Sequence, residues 1–163
     1  MGTFQTTISI GRPPAEVFDL VADTEKTPLW YEAVVSATKI GSGPAGRGRR
    51  YRLVRALPGG LVENEVEITD YEPARRVTLT SVSGPTPFRY RYTLEPLAQG
   101  AGTRVILDGD ITTEGLPVPA PLRPIATRAF QHGMAQNLAV LKRIVESSRT
   151  SPAKAAAEKR RDR

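Results

Sequence analysis

Apolar and polar residues alternate from Thr3 to Ile10. Phe4, Thr6, Ile8 and Ile10 fall on one side, and Thr3, Gln5, Thr7 and Ser9 on the other. A period of two marks a half-buried β-strand. Gly11–Arg12–Pro13–Pro14 breaks it, and Ala15–Ala22 then reads as a short helix with Val17, Phe18 and Val21 on its apolar side. A loop or single helical turn, Thr24–Tyr31, carries the only tryptophan, Trp30. From Ala33 onward the pattern is strand, turn, strand. The strands are Ala33–Ile40, Arg49–Leu57, Leu61–Tyr71, Arg76–Ser83, Phe88–Glu95 and Thr103–Thr113, punctuated by glycine- and proline-rich turns. Gly115–Pro121 reads as a stiff connector.

The period changes at Pro121–Ser148. Leu122, Ala126, Phe130, Gly133, Met134, Asn137, Leu138, Leu141, Ile144 and Val145 share one face at helical spacing. Propensity alone holds such a helix weakly, so its apolar face must pack on the strands.

Parity sorts the strand faces. Glu63, Glu65 and Glu67 lie opposite Val62, Asn64, Val66 and Ile68, while Arg50, Arg52, Arg89 and Arg91 oppose tyrosines and leucines. This predicts an outer face of Glu–Arg cross-strand pairs and an inner face of aromatics and aliphatics. No βαβ spacing argues for parallel strands. The expected class is α+β, a curved antiparallel sheet against one long helix.

At 163 residues, 39% hydrophobic and 25% charged, the chain suits one soluble domain with a real core. No apolar run approaches the roughly 20 residues of a membrane span. The N-terminus lacks a signal-peptide pattern, and a cytoplasmic location is expected. Cysteine is absent, which excludes disulfides, thiolate metal sites and a cysteine nucleophile. The net charge of +6 is uneven: residues 149–163 hold six basic and two acidic side chains, so +4 sits there and +2 remains on residues 1–148. Residues 149–163 have almost no large apolar side chain and are expected to form a disordered basic tail. The folded part lacks the basic face of a nucleic-acid binder.

In order, the elements are a strand, the helix PPAEVFDLVAD, a Trp-bearing segment, six strands and a long helix containing NLAVLKRIVES. This arrangement resembles the polyketide cyclase/dehydrase branch of the START-like (SRPBCC, helix-grip) superfamily. The resemblance covers about residues 3–148. It implies a seven-stranded curved antiparallel sheet gripping the C-terminal helix, with short helices between strands 1 and 2. It also implies one START-like domain over residues 1–148 and an apolar cavity between sheet and helix. Such folds serve lipid carriers, aromatase/cyclases and hormone receptors, so fold cannot choose among functions.

Inward parity nominates the cavity lining. From the strands come Tyr51, Leu53, Arg55, Asn64, Val66 and Ser81, and further on Phe88, Tyr90, Tyr92 and Leu107. Trp30 closes the cavity from the helical side, and Phe130, Met134 and Asn137 face it from the long helix. Tyrosines suit a pocket for an aromatic or polycyclic ligand. An inward Arg55 is costly unless it meets a carboxylate, a solvent mouth or a ligand oxygen, the alternative being that it snorkels outward. Asn137, central on the apolar helix face, must find partners. These are either backbone groups that set the helix on the sheet or a ligand. His132 falls on the solvent side. The Leu57–Gly60 and Ser83–Pro87 turns lie at one end of the sheet, where similar loops gate related receptors.

Three functions are compatible with these residues. The first is binding of a hydrophobic, lipid- or polyketide-like small molecule. The second is a polyketide cyclase, aromatase or dehydratase in which Arg55, Tyr51 and Tyr90 orient a chain and polarise a carbonyl. The third is an interaction module touching RNA or a protein through the basic tail. No cofactor and no metal is called for, no nucleic-acid partner is favoured, and the protein is expected as a monomer or homodimer.

Overall fold

A computed structural model describes residues 2–112 and 118–148. The expected tail (149–163), the last residue of the seventh strand and the first part of the 115–121 connector lie outside the described residues. Seven strands form one antiparallel sheet: β1 (Gly2–Ile10), β2 (Val34–Ile40), β3 (Arg50–Leu57), β4 (Gly60–Glu72), β5 (Arg76–Ser83), β6 (Phe88–Leu97) and β7 (Gly102–Ile111). The order is β1-β7-β6-β5-β4-β3-β2. Strands β2 to β7 are a meander, and β1 pairs with β7, so β1 and β2 are the two edges. The connection between them must cross the sheet. It does so as α1 (Pro14–Val21) and a 3-10 turn (Thr24–Leu29), which bury Val17, Phe18 and Val21.

Residue parity follows the expected faces. Tyr51, Leu53 and Arg55 are buried along β3, Asn64, Val66 and Ile68 along β4, and Phe88, Tyr90, Tyr92 and Leu94 along β6. On the outer face Arg50 pairs with Glu65 (3.0 Å) and Glu67 (2.9 Å), and Arg52 with Glu63 (2.9 Å). Being exposed, these pairs contribute little stability each; their main effect is to keep that face wet.

Bulges curve the sheet. An extra residue interrupts the pairing at Val35 on β2, at Thr69 on β4 and at Val82 on β5. Each extra residue bends its strand and raises the local twist. A different adjustment serves β7, where Gly109 stands opposite Phe4 and the Phe4 ring lies across the strand where a Cβ would be.

The long helix α2 (Arg123–Ser147) begins two residues later than the periodicity predicts, after a 3-10 turn at Ala120–Leu122. It packs chiefly along β1 and against α1. Polar groups fasten it there: Gln131 Nε2 donates to the Gln5 carbonyl (3.0 Å) and Lys142 Nζ to the Ser9 carbonyl (2.9 Å). Glu146 accepts from the Gly11 N–H at 2.9 Å. Burial along α2 is uneven. Met134, Asn137, Leu138, Leu141 and Val145 are buried, but Leu122, expected on the packed face, is 47% exposed and neighbouring Ile125 63%. The start of the helix therefore leaves part of its apolar face uncovered, although Thr127 lies against Gly2 and Gln131 bonds to β1. His132 is exposed and meets only Gln136 of its own helix among described residues.

The Phe4–Gly109 contact gives a direct test. Gly109→Ala places a methyl group in the Phe4 ring and should cost about 1–3 kcal/mol, the usual range for overpacking, in urea unfolding. With Phe4→Leu the same change should cost much less. Equal costs in both backgrounds would show that the ring is not what the glycine accommodates.

Candidate functional site

Where α2 stands off the sheet it leaves an apolar cavity of about 440 Å³. Three pieces of chain build it. From α2 come Ala126, Ala129, Phe130, Gly133 and Met134 of its first half and Asn137 just past its midpoint. Opposite lie Ala56, Leu57 and Pro58, at the end of β3 and its turn. Tyr31, Glu32 and Ala33 form the third wall, with Val118 at the edge. The size falls within the usual range for small-molecule sites, roughly 300–1,000 Å³. Small residues on the helix create the space. Gly133 sits in the helix interior, and a Cβ built there meets nothing within 4 Å.

Asn137 joins two of these walls. It is 6% exposed, and its Oδ1 accepts the Glu32 backbone N–H at 3.2 Å. This ties α2 to the chain leading into β2 and identifies the other half of the amide as the NH2. Among the described residues that NH2 meets only the Met134 thioether, 3.4 Å away, a weak acceptor. The backbone alternative for Asn137 is thus realised by one half of its side chain, while the other half is left nearly unused against the cavity.

Behind Tyr31 lies a second, nearly closed space of about 20 Å³. Aromatic rings fill this region. Phe88 stacks on Tyr90 with centroids 4.8 Å apart, and Trp30 meets Tyr92 edge-on at 6.0 Å. The Tyr31 and Tyr90 hydroxyls are 3.4 Å apart. One hydrogen bond between two hydroxyls leaves one O–H unspent. Burial raises the Tyr90 hydroxyl well above the ordinary tyrosine value, with Tyr31 adding to the shift. Burial likewise raises Tyr92. Both stay neutral and act as apolar rings with a polar tip.

Arg55 takes a course not anticipated from the strand pattern. It does not snorkel: it is 2% exposed. Nor does it meet a carboxylate. Its Nη2 donates to Asn64 Oδ1 (2.8 Å) and the Thr86 carbonyl (3.2 Å) and contacts the Thr86 hydroxyl. Its guanidinium carbon lies 4.5 Å from the Phe88 ring centroid, a cation–π contact. Asn64 Nδ2 in turn donates to Ser81 Oγ (3.1 Å) and the Ser83 carbonyl (3.2 Å). Gly84, at φ +117°, lets the turn pass this close, since a Cβ there would stand 2.7 Å from the Glu63 carbonyl. The network fastens the Ser83–Pro87 turn onto β3 and β4.

The nominated lining residues therefore separate into groups. Phe130, Met134 and Asn137 line the cavity. Trp30, Leu53, Phe88, Tyr90 and Tyr92 surround the small inner space. Arg55, Asn64 and Ser81 make the polar network, and Val66 and Leu107 are fully buried core. Tyr51 lies elsewhere, in a depression with Phe18, Asp23, Lys39 and Tyr71. It is four residues from Arg55 along β3, about 13 Å at the ordinary strand rise. Of the two turns, Leu57–Gly60 gives Leu57 and Pro58 to the cavity wall, whereas Ser83–Pro87 is held by the network. Sequence reading passed over Tyr31, Ala33 and Ala56. Tyr31 had a signal, an aromatic beside Trp30 at a loop end. The alanines had none.

A model of the family described as polyketide cyclase/dehydrase and lipid transport matches residues 1–146. No curated protein matches the chain by sequence. Among solved structures, a Thermus thermophilus protein aligns with TM-score 0.75 and 22% identity, covering 91% of this chain and 99% of its own. The ZhuI aromatase/cyclase of a Streptomyces species aligns with TM-score 0.72 and 16% identity over 88% of this chain and 93% of its own. A START superfamily protein from Mycobacterium smegmatis gives 0.68 and 20%, over 90% and 99%. At these identities the likeness is one of fold. It shows the seven-stranded helix-grip architecture.

The buried tyrosines make a pH prediction. Tyr90 and Tyr92 are held neutral in the folded state, while in the unfolded chain they ionise above about pH 10. Above that pH the folded state binds more protons than the unfolded, so stability falls as pH rises. The slope is roughly 1 kcal/mol per pH unit for each tyrosine, with no contribution below about pH 9. Absorbance at 295 nm should show part of the tyrosine signal appearing only as the protein unfolds. Reversible ionisation of all five tyrosines near pH 10, with the fold intact, would contradict the buried assignment.

Proposed function

We propose that this chain, which belongs to the polyketide cyclase/dehydrase and lipid-transport family, binds an apolar small molecule in the cavity between the first half of α2 and the end of β3. The observation that carries this reading is the cavity itself: about 440 Å³, lined mainly by apolar side chains. A helix-interior glycine, Gly133, keeps it open at a cost in helix stability of about 1 kcal/mol relative to alanine. Burying an apolar ligand there removes from water the surface that α2 leaves uncovered.

Binding without turnover is favoured over the cyclase reading by the state of the candidate catalytic groups. The donating Nη2 of Arg55 is occupied by Asn64 and Thr86, and Phe88 lies over the guanidinium. Tyr51 is in another depression. Tyr90 is held neutral behind Tyr31, which makes it a poor acid or base at neutral pH.

Titration with N-phenyl-1-naphthylamine, a neutral apolar fluorophore, tests the reading. Wild-type protein should show a saturable rise in probe emission at one site per chain, accompanied by a change in Trp30 emission through adjacent Tyr31. Gly133→Leu should fill the space, abolish the rise and stabilise the empty protein by about 1 kcal/mol. An unsaturable or absent rise in the wild type, or the same rise in Gly133→Leu, would refute the cavity as the binding site.

A further inference from the structure

Resting on that reading, we infer that the cavity selects neutral ligands carrying an acceptor oxygen, a ketone, ester or lactone carbonyl, and that the Asn137 NH2 is the group that anchors it. Four observations combine. Asn137 lines the cavity and is more than nine-tenths buried. Its oxygen is held by the Glu32 N–H, so its orientation is set by the fold and not by the ligand. Among the described residues its NH2 has only a thioether for a partner, and a buried amide donor lacking a strong acceptor gains on meeting one. Finally, no lysine, arginine or histidine lines the cavity among the described residues, while the Glu32 carboxylate stands exposed at its rim.

The last point fixes the ligand's charge. An anion entering this cavity would lose its hydration with no cation to meet it and a carboxylate at the mouth, a combination that costs far more than one amide hydrogen bond returns. A neutral carbonyl loses much less hydration and takes the NH2 hydrogen bond in full. A pure hydrocarbon leaves the NH2 unsatisfied. Anchoring one end in this way places the rest of the molecule against Phe130, Ala129 and Leu57.

Three probes of nearly equal shape separate these cases: 2-acetylnaphthalene, 2-isopropenylnaphthalene and 2-naphthoate. The quantity measured is the ratio of ketone to hydrocarbon affinity, by calorimetry, in wild type and Asn137→Leu. The ratio should fall about tenfold in the variant, the ordinary net worth of one buried hydrogen bond, and naphthoate should bind wild type most weakly of the three. Infrared spectra of the wild-type complex supply a readout that needs no variant: the ketone carbonyl stretch should lie at lower wavenumber than in hexane. An unshifted carbonyl stretch, an unchanged ratio in a folded variant, or naphthoate binding as tightly as the ketone would overturn the inference and leave the cavity reading standing. If none of the three binds the wild type, or if all bind Gly133→Leu as they bind the wild type, both readings are overturned.

Discussion

A single helix is too narrow for this sheet. Seven strands at about 4.8 Å spacing make a surface close to 30 Å wide, while an α-helix with its side chains is about 10–12 Å across. A flat sheet would leave most of its apolar face in water. The bulges on β2, β4 and β5 curl the sheet, and the β1–β2 connection lays α1 and a 3-10 turn across the open end. Even so, α2 is fastened along β1 and reaches the β3 end only over a gap. The cavity is that residual mismatch between one cylinder and a curved sheet.

The remaining uncovered interior is filled by side chains in two different ways. Around the inner space, Trp30, Tyr31, Phe88, Tyr90 and Tyr92 close the volume with rings. Rings give much area for little conformational entropy, and their hydroxyls satisfy one another or stay neutral. Nearby, Arg55 brings a charge into the interior with neutral acceptors and one aromatic face for company. Such a group is destabilising in isolation. Its return is positional, since the same hydrogen bonds hold Asn64, Thr86 and the Ser83–Pro87 turn in register. These devices leave a large apolar volume under α2, bounded by small residues at Ala126, Ala129 and Gly133.

Polar groups around that volume are unequal in what they have left to give. The Asn64 amide is spent on both sides, as befits a residue that is fully buried in the sheet. Asn137 has spent its oxygen but hardly its NH2. Two buried asparagines on inward positions thus play different parts, one closing a structural network and one facing the space a ligand would take.

Much of this was already legible along the chain. Strand periodicity, turn residues and the helical stripe after Pro121 determined the order of elements, the antiparallel class, the wet Glu–Arg face and the inward side of each strand, Arg55 included. Those features depend on how a side chain points relative to its own backbone, which a period of two or about 3.6 reports directly. Which inward residues would meet an open space was decided only in three dimensions. Phe130, Val66 and Leu107 carry the same hydrophobic signal, yet one lines the cavity and two are core. Leu122 has the helical position of a buried residue and is half exposed. Tyr31 and Pro58 reach the site from loop positions where no period exists to be read, and Ala56 from outward parity at the end of β3. The distance between α2 and the β3 end is set by sheet curvature and by where the helix is fastened. Both arise from contacts between residues far apart in sequence, and no local pattern encodes them.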